Sequence, residues 1–545
     1  MSPLDRAAVD ALFPAGLPEV GHWQRRYPPR QLPEGAQVTR VSPSPTGHAH
    51  IGSVYVAMID ADVARHSGGT YFVRVEDTDR LREVEGAAAQ FDRVFSVFGV
   101  SPDETDPGGA YGPYTQSARS PVYLSHVREL LRRNKAYPCF ATRDELAANV
   151  AAQRAAKVPT GYYGRWAIWR DAPAERVGEY LAAGRPYVVR FRSPASPGDR
   201  IGYHDLIRGE LEADANLNDA VILKSSDQHP RLPTYHFAHA VDDHLMGVTV
   251  VIRGDEWISS VPLHLQLFDA LGFPRVGYAH IAPLMKMEGG SRRKLSKRKD
   301  PEASVDHYLQ AGYPVEAVLY YLRGLANGRL AELPLAEALA APILLEECGA
   351  AGPLVDMAKL DDISADFVAT LPGEEILRRL AAWAADHDPD LAAVLDGDRD
   401  LALRALAVER DGVPNPRKDL RRWSDFRTAY GFFFPSLFER ADDGDPRFGG
   451  LDPRLVHAML DDLAERYRPH ADPGRWFDQV RDLAARHGFA PTPKAHKADP
   501  GVHPGSIREA SQVVRVALTG ATRSPDLAAV AHALGAEEVV RRLRR

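Results

Sequence analysis

An α/β body followed by a mostly α-helical C-terminal third is the fold this sequence predicts, and three observations predict it. From Ala36 the chain reads strand, loop, helix, strand within about 40 residues, a βαβ unit that implies a parallel sheet. "VTVVIRGDEW" at 248–257 is a further buried-strand stretch. Beyond about residue 320 strand signals fade, and Ala, Leu, Arg and Asp recur at helical spacing, as in "EEILRRLAAWAADH" and "VHAMLDDLAERY".

Each element follows from local chemistry. Residues 1–35 include "FPAGLPEVGHWQRRYPPRQLPEG", a Pro-rich leader expected to be irregular and wrapped on the body. "AQVTRVSPSP" gives a short strand ending in a loop, and an amphipathic helix runs from there to about Ser67. Gly68-Gly69 stop that helix, and Thr70 to Val75 form the apolar centre of the second strand in "GGTYFVRVEDTD".

At 545 residues the chain exceeds a single core, so three to five domains are expected. No run approaches the roughly 18 apolar residues of a membrane span, and "MSPLDRAAVDALF" lacks a signal-peptide pattern. Cys139 and Cys348, the two cysteines, build neither a disulfide framework nor a Cys-rich zinc site. A cytoplasmic protein without a membrane partner is expected. The net charge of −7 gives no global attraction for nucleic acid, which local basic patches must meet instead.

Two loops carry chemistry. "SPSPTGHAHIGS" (42–53) ends in His-x-Gly at a helix start, where backbone N–H groups and the helix dipole favour phosphate. His50 is placed to donate to a phosphate oxygen, and Gly52 lets a flat ring approach the backbone. The competing reading is a strand-to-helix turn with a capping histidine. "GGSRRKLSKRKD" (289–300) is a glycine-hinged basic loop, suited to polyphosphate or simply solvated.

Read together, these stretches resemble the two signature motifs of class I aminoacyl-tRNA synthetases, with "KLSKR" (294–298) as the second. "TRVSPSPTGHAHIGS", "VRVEDTDR", "GPYTQSAR", "LPTYHFAHAVDDHLMGVTVVIRGDEW", "HIAPLMKMEGGSRRKLSKRKD" and "VRVALTG" resemble, in order, the glutamate–tRNA ligase family. The resemblance covers about residues 36–545 and is strongest up to 325. It implies a Rossmann-like class I synthetase catalytic domain with an inserted acceptor-binding domain, followed by a mostly α-helical anticodon-binding region. The implied reaction joins L-glutamate to the 3′ end of tRNA-Glu through a glutamyl-adenylate. ATP is a substrate and Mg2+ accompanies its phosphates, and a monomer is expected.

The implied division is an N-terminal extension 1–35, catalytic halves 36–120 and 226–288, and an acceptor-end insertion 121–225. A signature loop and stem-contact region (289–370) and helical anticodon-binding subdomains 371–450 and 451–545 follow. His50, Lys294 and Lys297 are the catalytic candidates. Carboxylate activation by ATP needs no protein nucleophile, so positioning and charge stabilisation supply the catalysis. For glutamate the resemblance implies Arg40, Ser44, Glu76, Tyr235, His239 and Arg253, with a core tyrosine and a satisfied core histidine as the competing readings of Tyr235 and His239. Glu76 would hold the ammonium, or instead pair with Arg74 or Arg80. Arg40 and Arg253 would take carboxylates as bidentate forks, or serve structural salt bridges. For ATP it implies Pro43, His50, Gly52, Glu256, Met285 and Lys297.

The sequence departs from the family at several points. Ser53 stands at the fourth signature position, and "SDQHPRLPTYH" carries extra residues beside Tyr235. Cys139 stands alone where some members hold zinc, with Ala141 and Trp166 where ligands would fall, so no metal site is expected. "RRNKAYPCF" and "GYYGRWAIWR" suit an acceptor-end contact or a plain core. "NPRKDLRRW" (415–423) and "RRLRR" are the basic patches available to an anticodon arm. A paralogue serving biosynthesis or also charging tRNA-Gln, a catalytically inactive tRNA binder and a glutaminyl ligase are the alternatives. The last is disfavoured by "EDTD" and a helical C-terminal region.

Overall fold

A computed structural model describes residues 4–44, 49–79, 86–499 and 501–544. The Pro45–His48 part of the first signature loop and Arg80 lie outside the described residues. The chain forms two compact units: Met1–His307 with Leu319–Val355, and Tyr308–Val318 with Asp356–Arg545.

In the first unit β1 (Val38–Val41) pairs in parallel with β2 (Thr70–Val73), Val38 opposite Thr70. The helix Ile51–Ser67 joins them, ended by Gly68 at φ 72°, a left-handed conformation open to glycine. The expected βαβ unit is therefore present. A separate antiparallel sheet has the order β3 (Ala136–Cys139), β4 (Val188–Phe191), β7 (Val221–Leu223). β5 (Arg200–Asp205) and β6 (Gly209–Asp214) form a hairpin. That hairpin joins β8 (Val250–Gly254) and β9 (Gly277–Ile281) in the order β6-β5-β9-β8, with β8 and β9 parallel. Val38 ties β1 to the start of β8 through its carbonyl, which accepts from Thr249 N–H at 3.0 Å. β10 (Met285–Glu288) and β11 (Ser291–Lys294) form the second signature hairpin.

The leader differs from the irregular segment expected. It holds two short helices, Arg6–Asp10 and Val20–Arg26, each confined to a turn or two between prolines. It is fastened by a bidentate Arg30–Glu104 pair (2.9 and 2.7 Å), by Arg132 on Asp10 and by Trp23 on Ser125.

Aromatics of the 121–225 stretch divide by depth. Tyr137, Phe140, Tyr162 and Trp169 are core residues, while Arg165 is exposed and stacks on half-buried Trp166. Cys139 is buried, with Tyr162 and Arg190 3.3 Å from its sulfur. Within the extra residues before Tyr235, Arg231 donates to the carbonyls of Lys224 and Tyr187.

The second unit is helical, with no strand among its described residues. Helices such as Gly373–His387, Pro453–Arg466, Pro473–Arg486 and Ile507–Thr519 bury one apolar core. Its basic stretches are largely spent on internal partners. Lys418, Arg421 and Arg422 pair with Asp366, Asp361 and Asp425. Arg542 is buried, donating to the Phe432 and Leu518 carbonyls, and Arg541 pairs with Glu538.

Candidate active site

The carboxyl ends of β1, β2, β8 and β9 converge on a cavity of about 480 Å3, where ligands of open α/β sheets sit. Arg40, Pro43, Ser44, His50, Gly52, Glu76, Tyr235, Arg253, Glu256, Lys294 and Lys297 all line it. Eleven residues drawn from segments up to 257 positions apart thus share one wall, as the two signature motifs require.

His50 caps the helix Ile51–Ser67: its Nδ1 accepts the Gly52 N–H at 2.8 Å. Nδ1 therefore carries no proton, and the neutral ring presents Nε2–H as its donor. Burial, reinforced by the charges of Lys297 and Lys294, pushes His50 down to about 4, so neutrality holds at physiological pH. The capping reading is met through Nδ1, and Nε2–H is left as the ring's donor on the cavity side. Gly52 is constrained by that same cap, since a Cβ there would stand 2.9 Å from Nδ1. Lys294 lies 3.6 Å from Glu256 across the cavity mouth, and burial holds Lys297 below the ordinary lysine value.

On the inner wall, buried Asp243 gathers charge. It accepts from Arg74 Nη1 at 2.5 Å and from Arg40 Nε at 3.3 Å, and His239 Nδ1 stands 2.8 Å away. Burial opposes its charge, but Arg40 and Arg74 outweigh that and keep it well below the usual carboxylate range. Arg40 is thus engaged through Nε while lining the cavity. The Glu76 side chain is 8% exposed on the cavity wall and meets Arg74 (3.3 Å). Burial outweighs Arg74 and Arg40 and raises Glu76 above its ordinary value, so an incoming ammonium would favour its charged form.

Arg253 differs from both other arginines. It is 6% exposed, and no described carboxylate lies within 4.0 Å of it. Its partners are His280 Nε2 (3.2 Å), Tyr235 Oη (3.4 Å) and His264 Nδ1 (3.3 Å). Burial pushes His280 and His264 below the ordinary histidine value, so this guanidinium is a buried cation among neutral groups. A carboxylate entering the cavity would complete it.

Two expected residues are not among those lining the cavity. His239 does not line the cavity: fully buried, it stacks behind Tyr235 (ring centroids 6.0 Å) and packs on Asp243 and Tyr278. The helix Tyr235–Leu245 buries position 239, one turn after half-buried Tyr235. Met285 is likewise absent from the lining, and its backbone N–H and carbonyl are bound to Pro353 O and Val355 N–H. Sequence reasoning overlooked Tyr55, Phe91 and Trp257 on the wall and Asp243 behind it. Asp243 falls one and two helical turns after His239 and Tyr235, a periodicity that would have flagged it. Among the described residues, no group of three or more His, Cys, Asp or Glu is placed to hold a metal.

Residues 37–360 match the family model described as tRNA synthetases class I (E and Q), catalytic domain. Residues 506–545 match an anticodon binding domain. The chain is 38% identical to the glutamate–tRNA ligase of Clostridium perfringens (strain 13 / Type A), over 96% of each chain. It is 39% identical to that of Sorangium cellulosum (strain So ce56), over 98% of this chain and 99% of the relative. A crystal structure of a glutamate tRNA ligase from Elizabethkingia meningosepticum CCUG26117 in complex with its amino acid is similar. It has a TM-score of 0.75 and 26% identity, covering 94% of this chain and 98% of that one.

Proposed function

Given that the chain belongs to the glutamate–tRNA ligase family of class I synthetases, and so charges tRNA with glutamate using ATP, we propose how its cavity divides that work. Arg253 takes the side-chain carboxylate of glutamate. The observation that carries this is its isolation: a buried guanidinium on the cavity wall with only neutral partners. Glu76 takes the ammonium, with Tyr235 and Ser44 as walls, and Arg40 faces the α-carboxylate side.

The glutamate α-carboxylate oxygen attacks the α-phosphorus of ATP. A new P–O bond forms, the bond to the β-phosphate bridge breaks, and pyrophosphate leaves. His50 Nε2–H donates to the phosphates, while Lys294 and Lys297 meet the charge growing on the leaving group. Pro43, Gly52 and Glu256 bound the nucleotide side. Mg2+ enters with ATP as part of that substrate. A terminal ribose hydroxyl of tRNA-Glu then attacks the adenylate carbonyl, giving the ester and AMP.

The reading extends to the chain divisions 121–225 for the acceptor end, 289–370 for the stem and 371–545 for the anticodon arm. It also makes the protein a monomer at work in the cytoplasm, where charged tRNA is consumed. Glutamylation of purified tRNA-Glu and tRNA-Gln, with glutamate and then glutamine, tests it. Charging of tRNA-Glu by glutamate alone is expected; glutamine transfer would overturn the Arg253 assignment.

A further inference from the structure

We propose that Asp205 and His280 are positioning residues for Arg253, so that the β5–β6 hairpin sets the orientation of the guanidinium that selects glutamate. This rests on the reading of Arg253 given above.

The geometry forms one buried chain. Asp205 ends β5 and is fully buried. Its Oδ1 accepts the Ile207 and Arg208 N–H groups at 3.0 Å each, which closes the hairpin turn. Its Oδ2 lies 2.6 Å from His280 Nδ1 and 3.2 Å from His280 N. On the other side of the ring, Arg253 Nε donates to His280 Nε2 at 3.2 Å.

Proton placement in this chain is forced. Burial works against the Asp205 charge, but hydrogen bonds from His280 and the Ile207 and Arg208 amides outweigh it and hold the carboxyl below its ordinary value. An ionised carboxylate only accepts and an arginine only donates. His280 must then be protonated on Nδ1 and bare on Nε2. Burial keeps it neutral, even against the pull of Asp205. The opposite tautomer would set two N–H groups against each other between His280 and Arg253.

Function follows from which nitrogen is used. With Nε held at the back, the terminal pair of Arg253 nitrogens is the part left for a carboxylate, in the end-on bidentate geometry. Their present contacts to Tyr235 and His264 are longer, 3.4 and 3.3 Å, and are compatible with exchange for a ligand. A lone Arg253 would swing between these neutral partners. The Asp205–His280 pair fixes its plane.

Asp205→Asn tests this with little change of shape. Its amide oxygen can keep the turn, but its NH2 group facing His280 favours the wrong tautomer. ATP–pyrophosphate exchange with tRNA-Glu present should show glutamate KM raised about tenfold or more. ATP KM should stay unchanged, and the preference for glutamate over glutamine should shrink. Adding His280→Gln, whose amide oxygen can accept from Arg253 whichever way residue 205 is polarised, should restore glutamate KM to within about threefold of the parent. In an Arg253→Gln background, Asp205→Asn should add almost nothing. His280→Leu, which removes the acceptor and leaves the turn intact, replaces Asp205→Asn should the latter not fold.

If Arg253→Gln raises glutamate KM while the 205 and 280 variants do not, or if their effects add to it, positioning is refuted and the Arg253 reading stands. Should Arg253→Gln itself keep the parent's glutamate KM and selectivity, the reading of Arg253 falls and this proposal with it.

Discussion

Replacing His50 separates two functions that the structure assigns to two nitrogens of one ring. Nδ1 caps the helix Ile51–Ser67 through the Gly52 N–H at 2.8 Å, and Nε2–H remains for a phosphate. His50→Ala removes both. Loss of the cap should lower stability by about 1 kcal/mol. Loss of a donor aimed at developing charge should slow adenylate formation by about 10²–10³. His50→Asn separates the terms, because asparagine is a good N-cap residue but its short side chain does not extend to the Nε2 position. Denaturant unfolding should therefore place His50→Asn near the parent, with His50→Ala below both. Single-turnover formation of glutamyl-adenylate should be slow in both variants alike. An asparagine variant as fast as the parent, or an alanine variant that loses only stability, would refute the division of labour.

Further outcomes follow from the same wall. Lys297→Ala should slow activation by about 10²–10³ while leaving glutamate KM within a few-fold, because its contact grows with charge on the leaving pyrophosphate; equal single-turnover rates would remove it from the machinery. Gly52→Ala places a Cβ 2.9 Å from His50 Nδ1, so it should displace the ring and reproduce the rate loss of His50→Ala; a fully active Gly52→Ala variant would show that the phosphate donor does not need this ring position. Stability should also fall in acid. Burial pushes His126 and His239 down to about 4 in the folded chain, whereas the unfolded chain takes up these protons near 6.5. The unfolded state thus binds more protons between these values. Stability is intact above about pH 6.5 and declines toward pH 4, by up to about 1.4 kcal/mol per pH unit for each histidine. Denaturant titrations at pH 7.5, 6 and 5 that gave one midpoint would contradict it.

What was legible in the sequence follows a physical line. The βαβ start, the buried strand around Arg253 and the helical final third all carry local periodicity, and each is present. Most wall residues were legible because two motifs far apart in the chain must meet over one nucleotide. Legibility failed where a residue's direction depends on tertiary packing. His239 sits four positions after Tyr235, yet its side chain is drawn inward to Asp243. The pairing of the Met285 backbone with residues 353–355 is a tertiary contact that its sequence neighbourhood does not show. The hairpin 200–214 lies within the stretch expected to contact the acceptor end, but β5 joins the sheet that carries Arg253. Sequence shows the arginines of the basic stretches, and folding supplies carboxylates and carbonyls that partner them, as at Arg422 and Arg542.

The most direct test of the account is a structure with glutamate and a non-hydrolysable ATP analogue bound. The account places the side-chain carboxylate of glutamate on the terminal nitrogens of Arg253, at about 3 Å, with the ammonium at Glu76 and the phosphates at His50 and Lys297. A side-chain carboxylate bound instead at Arg40, with Arg253 still held only by Tyr235, His264 and His280, would contradict it.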